Sequence, residues 1–549
     1  CSSDLLRQAR EWRRTADPRC QGGITITVKA GRYYMQEPLF LRPEDSGTEE
    51  SPTIIRGEGA SERSSETVRT VRTGSPRRSD WESEPFGLGV RTVRTGTDNG
   101  SDALSTVVCG DICQHHTQLW PKEGMEQLQD FDPATRTITI PTPPEEVLQQ
   151  MSTAKQPGQQ LEMVVHQRWA IAILRVKAFV VKGNRTIVSF MEPESRLEFE
   201  HPWPQPVVGH ASKRDSTVVG HASKRDRDEV VSSSFLLRTT EQRQGVEQLV
   251  IVDGASHVSF EGITFEHTCW NRPQHHGHVT LQGGFPLVDA YRLAVPGLPW
   301  DEGLENQAWV ERPVSAVGVS HASKVSFSAC TFRNTGSTAL DFIDGTDSCT
   351  VSACRFEDIG GTAIMAGSFA ESPREVHRPY TDLAGRCNHL RIDGNTICRV
   401  GQEDWGAVAI GCGYVRNTAI SGNTVSDCPY SGICVGWGWT PHDTGMTANH
   451  IYNNKVERYA CQLYDAGGIY TLSYQPGSTI RDNVIGPPYP APYATNDRAF
   501  CIYLDARTDG FTISGNRTSA VSGLPAGTRL IRRDEIGDNH PGPNLIFRQ

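Results

Sequence analysis

The chain has 549 residues and a formal net charge of −10. An acidic chain without a basic stripe excludes nucleic acid as its main partner, because phosphates need cationic neighbours. No run of about 18 apolar residues is present to span a membrane, and 52 glycines with 33 prolines but no collagen period predict many turns.

Cys1-Ser2-Ser3-Asp4 at the start fits a mature lipoprotein cut before a lipidated cysteine, or a fragment that begins there by chance. A short helix follows. Leu5, Leu6, Ala9 and Trp12 share one face, with Ser3 as cap and Asp17-Pro18 as stop. Such a helix can cover the open end of a solenoid. Strands are predicted at Ile24–Val28 and Thr53–Arg56, so residues 1–60 read as a cap and the first coils. Residues 61–245 change character, with alternating strands at Thr137–Ile140, Leu161–Val165, Ala170–Val176 and Thr186–Phe190. They are predicted to form an inserted β-rich domain. Val207–Asp215 recurs verbatim at Val218–Asp226, and Val68–Gly74 recurs at Val90–Gly96. Neither repeat is assigned a function.

Residues 246–549 carry the strongest pattern. Asn395, Asn423, Asn454, Asn483 and Asn516 each close an Ile-x-x-Asn turn, at intervals of 28, 31, 29 and 33 residues. Short strands on such a period predict a parallel β-helix. A leucine-rich repeat lacks its LxxLxLxxN pattern here, and a propeller needs longer blades. Asn suits the turns because it tolerates the left-handed conformation and can hydrogen-bond from coil to coil. The recurring Cys330, Cys354, Cys398, Cys412, Cys434 and Cys501 read as interior residues, not disulfides.

Polar groups at the ends of the strands after these turns are predicted to face an exterior groove. Hydrolysis of a glycosidic bond needs two carboxyl groups, one as acid and one as nucleophile or base. Asp465 precedes Ala466-Gly467-Gly468-Ile469-Tyr470, Asp505 ends Ile502-Tyr503-Leu504, and Asp404 stands where Asp465 does, two coils earlier. Each has a plainer reading as a turn residue bonding its own backbone. Asp341 and Asp344 read as turn residues. Trp437 and Trp439, Trp270, His278 and Tyr470 are candidates to hold a sugar. Cys269–Pro313, with His275, His276, Tyr291, Trp300 and Trp309, is a long insertion of the kind that lies on a binding face. No histidine set with a carboxylate suggests a metal, and no cofactor is expected. His166-Gln167-Arg168-Trp169 is placed to reach over the groove, while His201-Pro202-Trp203-Pro204 reads as a rigid loop.

Gly31-Arg32-Tyr33-Tyr34, Pro38-Leu39 and Pro43-Glu44-Asp45-Ser46-Gly47 resemble the opening of bacterial right-handed β-helix hydrolases, notably glycoside hydrolase family 141. Asp465–Thr471 with Gln475-Pro476-Gly477, and Ile502–Asp505, resemble that family's late coils. The resemblance implies hydrolysis of plant or pectic glycans, with α-L-fucosidase and xylanase among the family's activities. It also implies a catalytic pair of aspartates, here Asp465 and Asp505. Ala466 stands where the family often has Gly, and Ala506-Arg507 replaces an acidic-Gly run. The expected partner is an oligo- or polysaccharide, and the expected location is extracellular, periplasmic or cell-surface. Two rival readings stay open. A polysaccharide lyase would release an unsaturated product, though the groove segments offer few of the Lys or Arg bases it needs. A non-catalytic glycan-binding surface protein would bind without cleaving.

Overall fold

The computed structural model describes residues 2–58, 106–109, 116–154, 158–200, 206, 208, 233–241, 245–288, 310–371, 374–375, 385–440, 442–489, 491, 493, 499–519, 531–533, 540–541 and 545–547. The duplicated segments apart from Val208, and Cys1, Tyr291, Trp300, Trp309 and residues 201–204, lie outside these.

The chain forms a right-handed parallel β-helix with three strands to each coil. Among the described residues, the first and second sheets have eleven strands each and the third has ten. One coil runs Ser323–Ser328, Thr331–Thr335 and Thr338–Phe342 through the three sheets in turn. The next returns through Thr350–Ser352, Arg355–Ile359 and Ile364–Ala366 in parallel register. The strands of the second sheet are mostly too short for alternation to show in the sequence, so the Asn period reports the coil but not its three sides.

Register turns sequence into columns. In the third sheet Val317, Leu340, Ile364, Ile410, Ile433, Ile469 and Ile502 stack one above another, all fully buried. Burying each such side chain stabilises the coil by about 1.5–3 kcal/mol. The asparagines form the expected ladder. The Asn395 side chain donates to Asn423 Oδ1 at 2.9 Å, and Asn423, Asn454 and Asn483 each repeat this bond to the next at 2.9, 3.0 and 2.9 Å. Cys354 and Cys330 continue the column into earlier coils. Asn395 Oδ1 accepts from the Cys354 backbone N–H at 2.9 Å. The Cys354 and Cys330 thiols point at the Phe327 and Phe260 carbonyls, as Asn395 Nδ2 points at Val351. Eleven described cysteines are free thiols. Cys269 is disulfide-bonded.

The N-terminal helix spans Ser2–Arg14, so Ser3 lies within it. Leu6 and Ala9 pack on Ile24 and Ile26 at the end of the coil, whereas Leu5 is exposed.

The boundary of the inserted domain differs from the expected 61. Thr106–Cys109 is a coil strand, paired between Gly31–Tyr34 and Ile263–Glu266. Four residues carry too little alternation to show this. Between that strand and the next strand of the third sheet, Val250–Asp253, lies an antiparallel sheet whose strands fall within His116–Glu241, apart from His278–Val279, which joins it by pairing with Ala172 and Ile173. Its face bearing Val164, Ile171, Ile173 and Leu236 joins the apolar core of the coil. Its other face, with Met163, Val165, Phe235 and Leu237, shares a second core with Phe285, Met365, Phe369, Tyr414 and Trp437. The insert therefore roofs part of the third sheet. No described helix is long and apolar enough to cross a membrane.

Candidate active site

The outward positions of the third sheet also form a column: Gly318, Asp341, Met365, Gly411, Cys434, Tyr470 and Tyr503. Tyr470 and Tyr503 stand opposite each other with ring centroids 5.1 Å apart, edge to face. Each reaches a carboxylate flanking its neighbour's strand, Asp465 just before Ala466–Thr471 and Asp505 just after Ala499–Leu504. Tyr503 donates to Asp465 Oδ1 at 2.9 Å, and Tyr470 donates to Asp505 Oδ2 at 2.5 Å. The backbone turns sharply at Asp465, where φ is 63°, a conformation Asp tolerates better than most residues. This turn carries the Asp465 carboxylate to Tyr503. Both aspartates are half-buried.

Tyr430 completes the arrangement. Its hydroxyl donates to the Asp465 backbone carbonyl at 3.0 Å. Burial, then the charge of Asp465, and to a lesser degree Asp505, push the Tyr430 hydroxyl well above its usual range. Burial and the Asp505 charge do the same to Tyr470. These hydroxyls stay protonated at neutral pH and donate. Gln282 Nε2 lies 3.5 Å from the Tyr470 hydroxyl, at the outer limit of a hydrogen bond.

The insert holds the chain just before Asp465. Tyr464 donates its backbone N–H to the Arg168 carbonyl at 3.0 Å, and His166 Nε2 is 2.8 Å from the Gln462 carbonyl. Burial pushes the His166 imidazole down to about 4. Trp169 Nε1 donates to the Leu281 carbonyl at 3.0 Å, fixing the turn that carries Gln282. The 166–169 turn thus reaches the site through bonds to Gln462, Tyr464 and Leu281.

Asp404 lies apart from this group. It is 5% exposed. Its Oδ1 accepts from the Gly406 backbone at 2.9 Å, the local bond of an Asx-turn, and its Oδ2 is 2.9 Å from His278 Nε2. His278 is positioned by pairing with Ile173 of the insert and touches Trp270 edge to face at 4.7 Å. Trp270 and His278 are both buried. Asp341 is not in a turn as expected. It sits mid-strand in the outward column, bound by both arms of Arg312 at 2.6 Å. Trp437 is 4% exposed, packed among Phe285, Phe369 and Trp439, which leaves little surface for a sugar ring. Trp439 is half-buried beside the cluster of Tyr470, Leu472, Phe500 and Tyr503.

Residues 113–223 match the model of the GH141 insertion domain. A solved glycoside hydrolase is 29% identical, with a TM-score of 0.74, over 99% of this chain and 92% of its own. The chain resembles a family 141 glycoside hydrolase. Both likenesses support hydrolysis of O-glycosyl bonds as its activity, and hence a carbohydrate substrate. XylC, solved with xylose, is 10% identical over 94% of this chain and 64% of its own, at a TM-score of 0.35. PfbA, a surface adhesin of Streptococcus pneumoniae, is 13% identical over 54% of this chain and 68% of its own, at 0.33. Scores that low bear on neither substrate nor mechanism. No curated protein sequence matches the chain.

Sequence reasoning missed Tyr430, Gln282 and the part of Tyr503 in this hydrolase-like site. Tyr503 was legible as the partner of Tyr470 once the two strands are aligned. Gln282 carries no local signal, because 188 residues separate it from Tyr470.

Proposed function

We propose that the chain hydrolyses a glycosidic bond in a plant-type or other complex polysaccharide, with Asp465 and Asp505 as its two catalytic carboxyl groups. One protonates the leaving oxygen while the other acts as nucleophile or base. The observation that carries this is the crossed tyrosine pair. Tyr503 on Asp465 and Tyr470 on Asp505, rings in contact, tie both carboxylates to one outer face of the coil. The Tyr430 hydroxyl, bonded to the Asp465 backbone carbonyl, feels both charges. A carboxyl group that is to act as acid must hold its proton, which binding of a sugar promotes by excluding water. α-L-Fucosides and xylans are the first substrates to try, and a polymeric glycan suits an extracellular or cell-surface enzyme.

The test is a screen of aryl glycosides and plant polysaccharides, followed by Asp465→Asn and Asp505→Asn on the best substrate. Each variant is expected to lose about 10²–10⁴-fold in kcat with unchanged circular dichroism. Full activity in both would remove the proposal.

A further inference from the structure

Three polar groups reach the surface around the buried tyrosines of the site. Asp465, Asp505 and Gln282 are each half-buried, whereas Tyr430, Tyr470 and Tyr503 are 3%, 4% and 2% exposed. The two carboxylates have a part in the proposed reaction, and Gln282 has none in it. Gln282 rides on a tight turn. Leu281 donates its backbone N–H to the Phe285 carbonyl and Phe285 donates to the Gln282 carbonyl, both at 3.0 Å. Gly283 and Gly284 follow with φ of 61° and 81°, values that glycine takes without steric cost. The insert pins the turn through the bond from Trp169 Nε1 to the Leu281 carbonyl at 3.0 Å. A polar side chain on a turn fixed in this way is pre-organised.

The direction of the amide follows from its partners. Tyr470 spends its hydroxyl hydrogen on Asp505 Oδ2, and Tyr430 spends its own on the Asp465 carbonyl. Each phenol oxygen can then only accept. Gln282 Nε2 lies 3.5 Å from the Tyr470 oxygen. Burial pushes the Tyr430 hydroxyl up, and a hydrogen bond from Gln282 works the other way. Only the NH2 end of a carboxamide donates, and its two hydrogens match the two tyrosine oxygens. The end left over is Oε1, which takes no hydrogen bond from a described residue and has only lone pairs to offer. Such an atom recognises a hydrogen donor. A sugar hydroxyl supplies one, and a carboxylate does not. Reach is set by the same bonds. Gln282 Nε2 is two hydrogen bonds from Asp505 by way of Tyr470. The two carboxyl groups of a glycosidase stand about 5–9.5 Å apart with the bond to be cleaved between them, so a ring held there meets a group this near.

We infer that Gln282 is a substrate-contacting residue, whose Oε1 accepts a hydrogen bond from one hydroxyl of the sugar ring held at Asp465 and Asp505, and that Trp169 of the insert is the positioning residue that sets it there. The inference rests on the reading of the chain as a glycoside hydrolase and adds to it a side chain that selects the sugar. It also gives the insert a part in that choice, since the Trp169 indole fixes a turn 112 residues further along the chain.

The test titrates the full chain and its Gln282→Leu variant with L-fucose, D-xylose, D-galactose and the monodeoxy forms of each, by saturation-transfer NMR. Free sugars carry no bond to cleave, so binding is read apart from turnover. Gln282→Leu keeps the bulk and removes the acceptor, and is expected to weaken the best sugar about tenfold. One monodeoxy form of that sugar is expected to bind parent and variant alike, because the hydroxyl that Gln282 accepts from is already gone. Trp169→Phe removes the indole N–H and keeps an aromatic ring. It is expected to weaken the same sugar about threefold, and to cost nothing more once Gln282 is replaced. Gln282→Ala serves if Gln282→Leu fails to fold. The inference is overturned if no sugar binds, if the folded Gln282 variants keep full affinity, if every monodeoxy form loses as much as the intact sugar, or if Trp169→Phe costs the same with and without Gln282. Full turnover in both Asp465→Asn and Asp505→Asn, while Gln282 still selects a hydroxyl, would sink the catalytic pair and leave this inference standing.

Discussion

The two faces of the third sheet belong to the same strands and carry opposite kinds of sequence. Inward, Ile364, Ile410, Ile433, Ile469 and Ile502 repeat one residue coil after coil; outward, Met365, Gly411, Cys434 and Tyr470 change at each step, and only Tyr503 repeats its neighbour. Inside a coil each side chain meets its own equivalent above and below, so one solution serves everywhere. Outside, each position meets a different neighbour, whether Arg312, the insert or a carboxylate. Repetition marks what holds the coil, and the outward column varies because its surroundings do.

The sharpest way to break that comparison is to exchange the costs of the two faces. Ile433→Ala opens a cavity in the inward column and is expected to destabilise by about 2–5 kcal/mol. Its kcat at a temperature where the variant stays folded should match the parent, and a loss of kcat there would show that the inner column also tunes the site. A second test approaches from the insert. His166 is held at about 4 by burial, against about 6.5 unfolded. Between those values the unfolded chain binds a proton that the folded chain refuses. Stability therefore falls as pH drops from about 6.5 towards 4, by about 3 kcal/mol in all. Melting temperatures across that range should show the slope, and His166→Asn should flatten it; an unchanged slope would assign it to other groups. The smallest effect is expected at the outward tyrosines. Tyr470→Phe and Tyr503→Phe each remove one charge-assisted bond, worth about 1.5–3 kcal/mol, without a change of shape. Each should lower kcat about tenfold, and a kcat equal to the parent's would mean that neither hydroxyl holds its carboxylate for the reaction.

How far the sequence could be read follows from the same contrast. The asparagine intervals revealed the coil because Asn395 through Asn516 answer one geometric demand repeatedly. Asp465 and Asp505 could be singled out as carboxylates at strand ends. That the two are linked through tyrosines could not be read off, because the link depends on a backbone turn at Asp465 and on register between strands 33 residues apart. The pairing of Asp404 with His278 spans 126 residues and passes through the insert, so no local pattern announces it. Trp437 shows the converse. Its Gly-Trp-Gly-Trp setting looked like an open platform, yet Phe285 and Phe369 pack over it, and cover from distant segments leaves no mark on the residues covered.

Both long excursions, the insert and the segment holding Trp270 and His278, leave the coil at the same corner, between a strand of the second sheet and one of the third. Their ends are anchored on adjoining coils, and doubling a loop adds only about 0.6 kcal/mol of closure entropy. The corner thus works as a docking port in the scaffold's perimeter. Lengthening or exchanging what is plugged in there reshapes the entrance to the carboxylates while the winding of the coil beneath stays as it was.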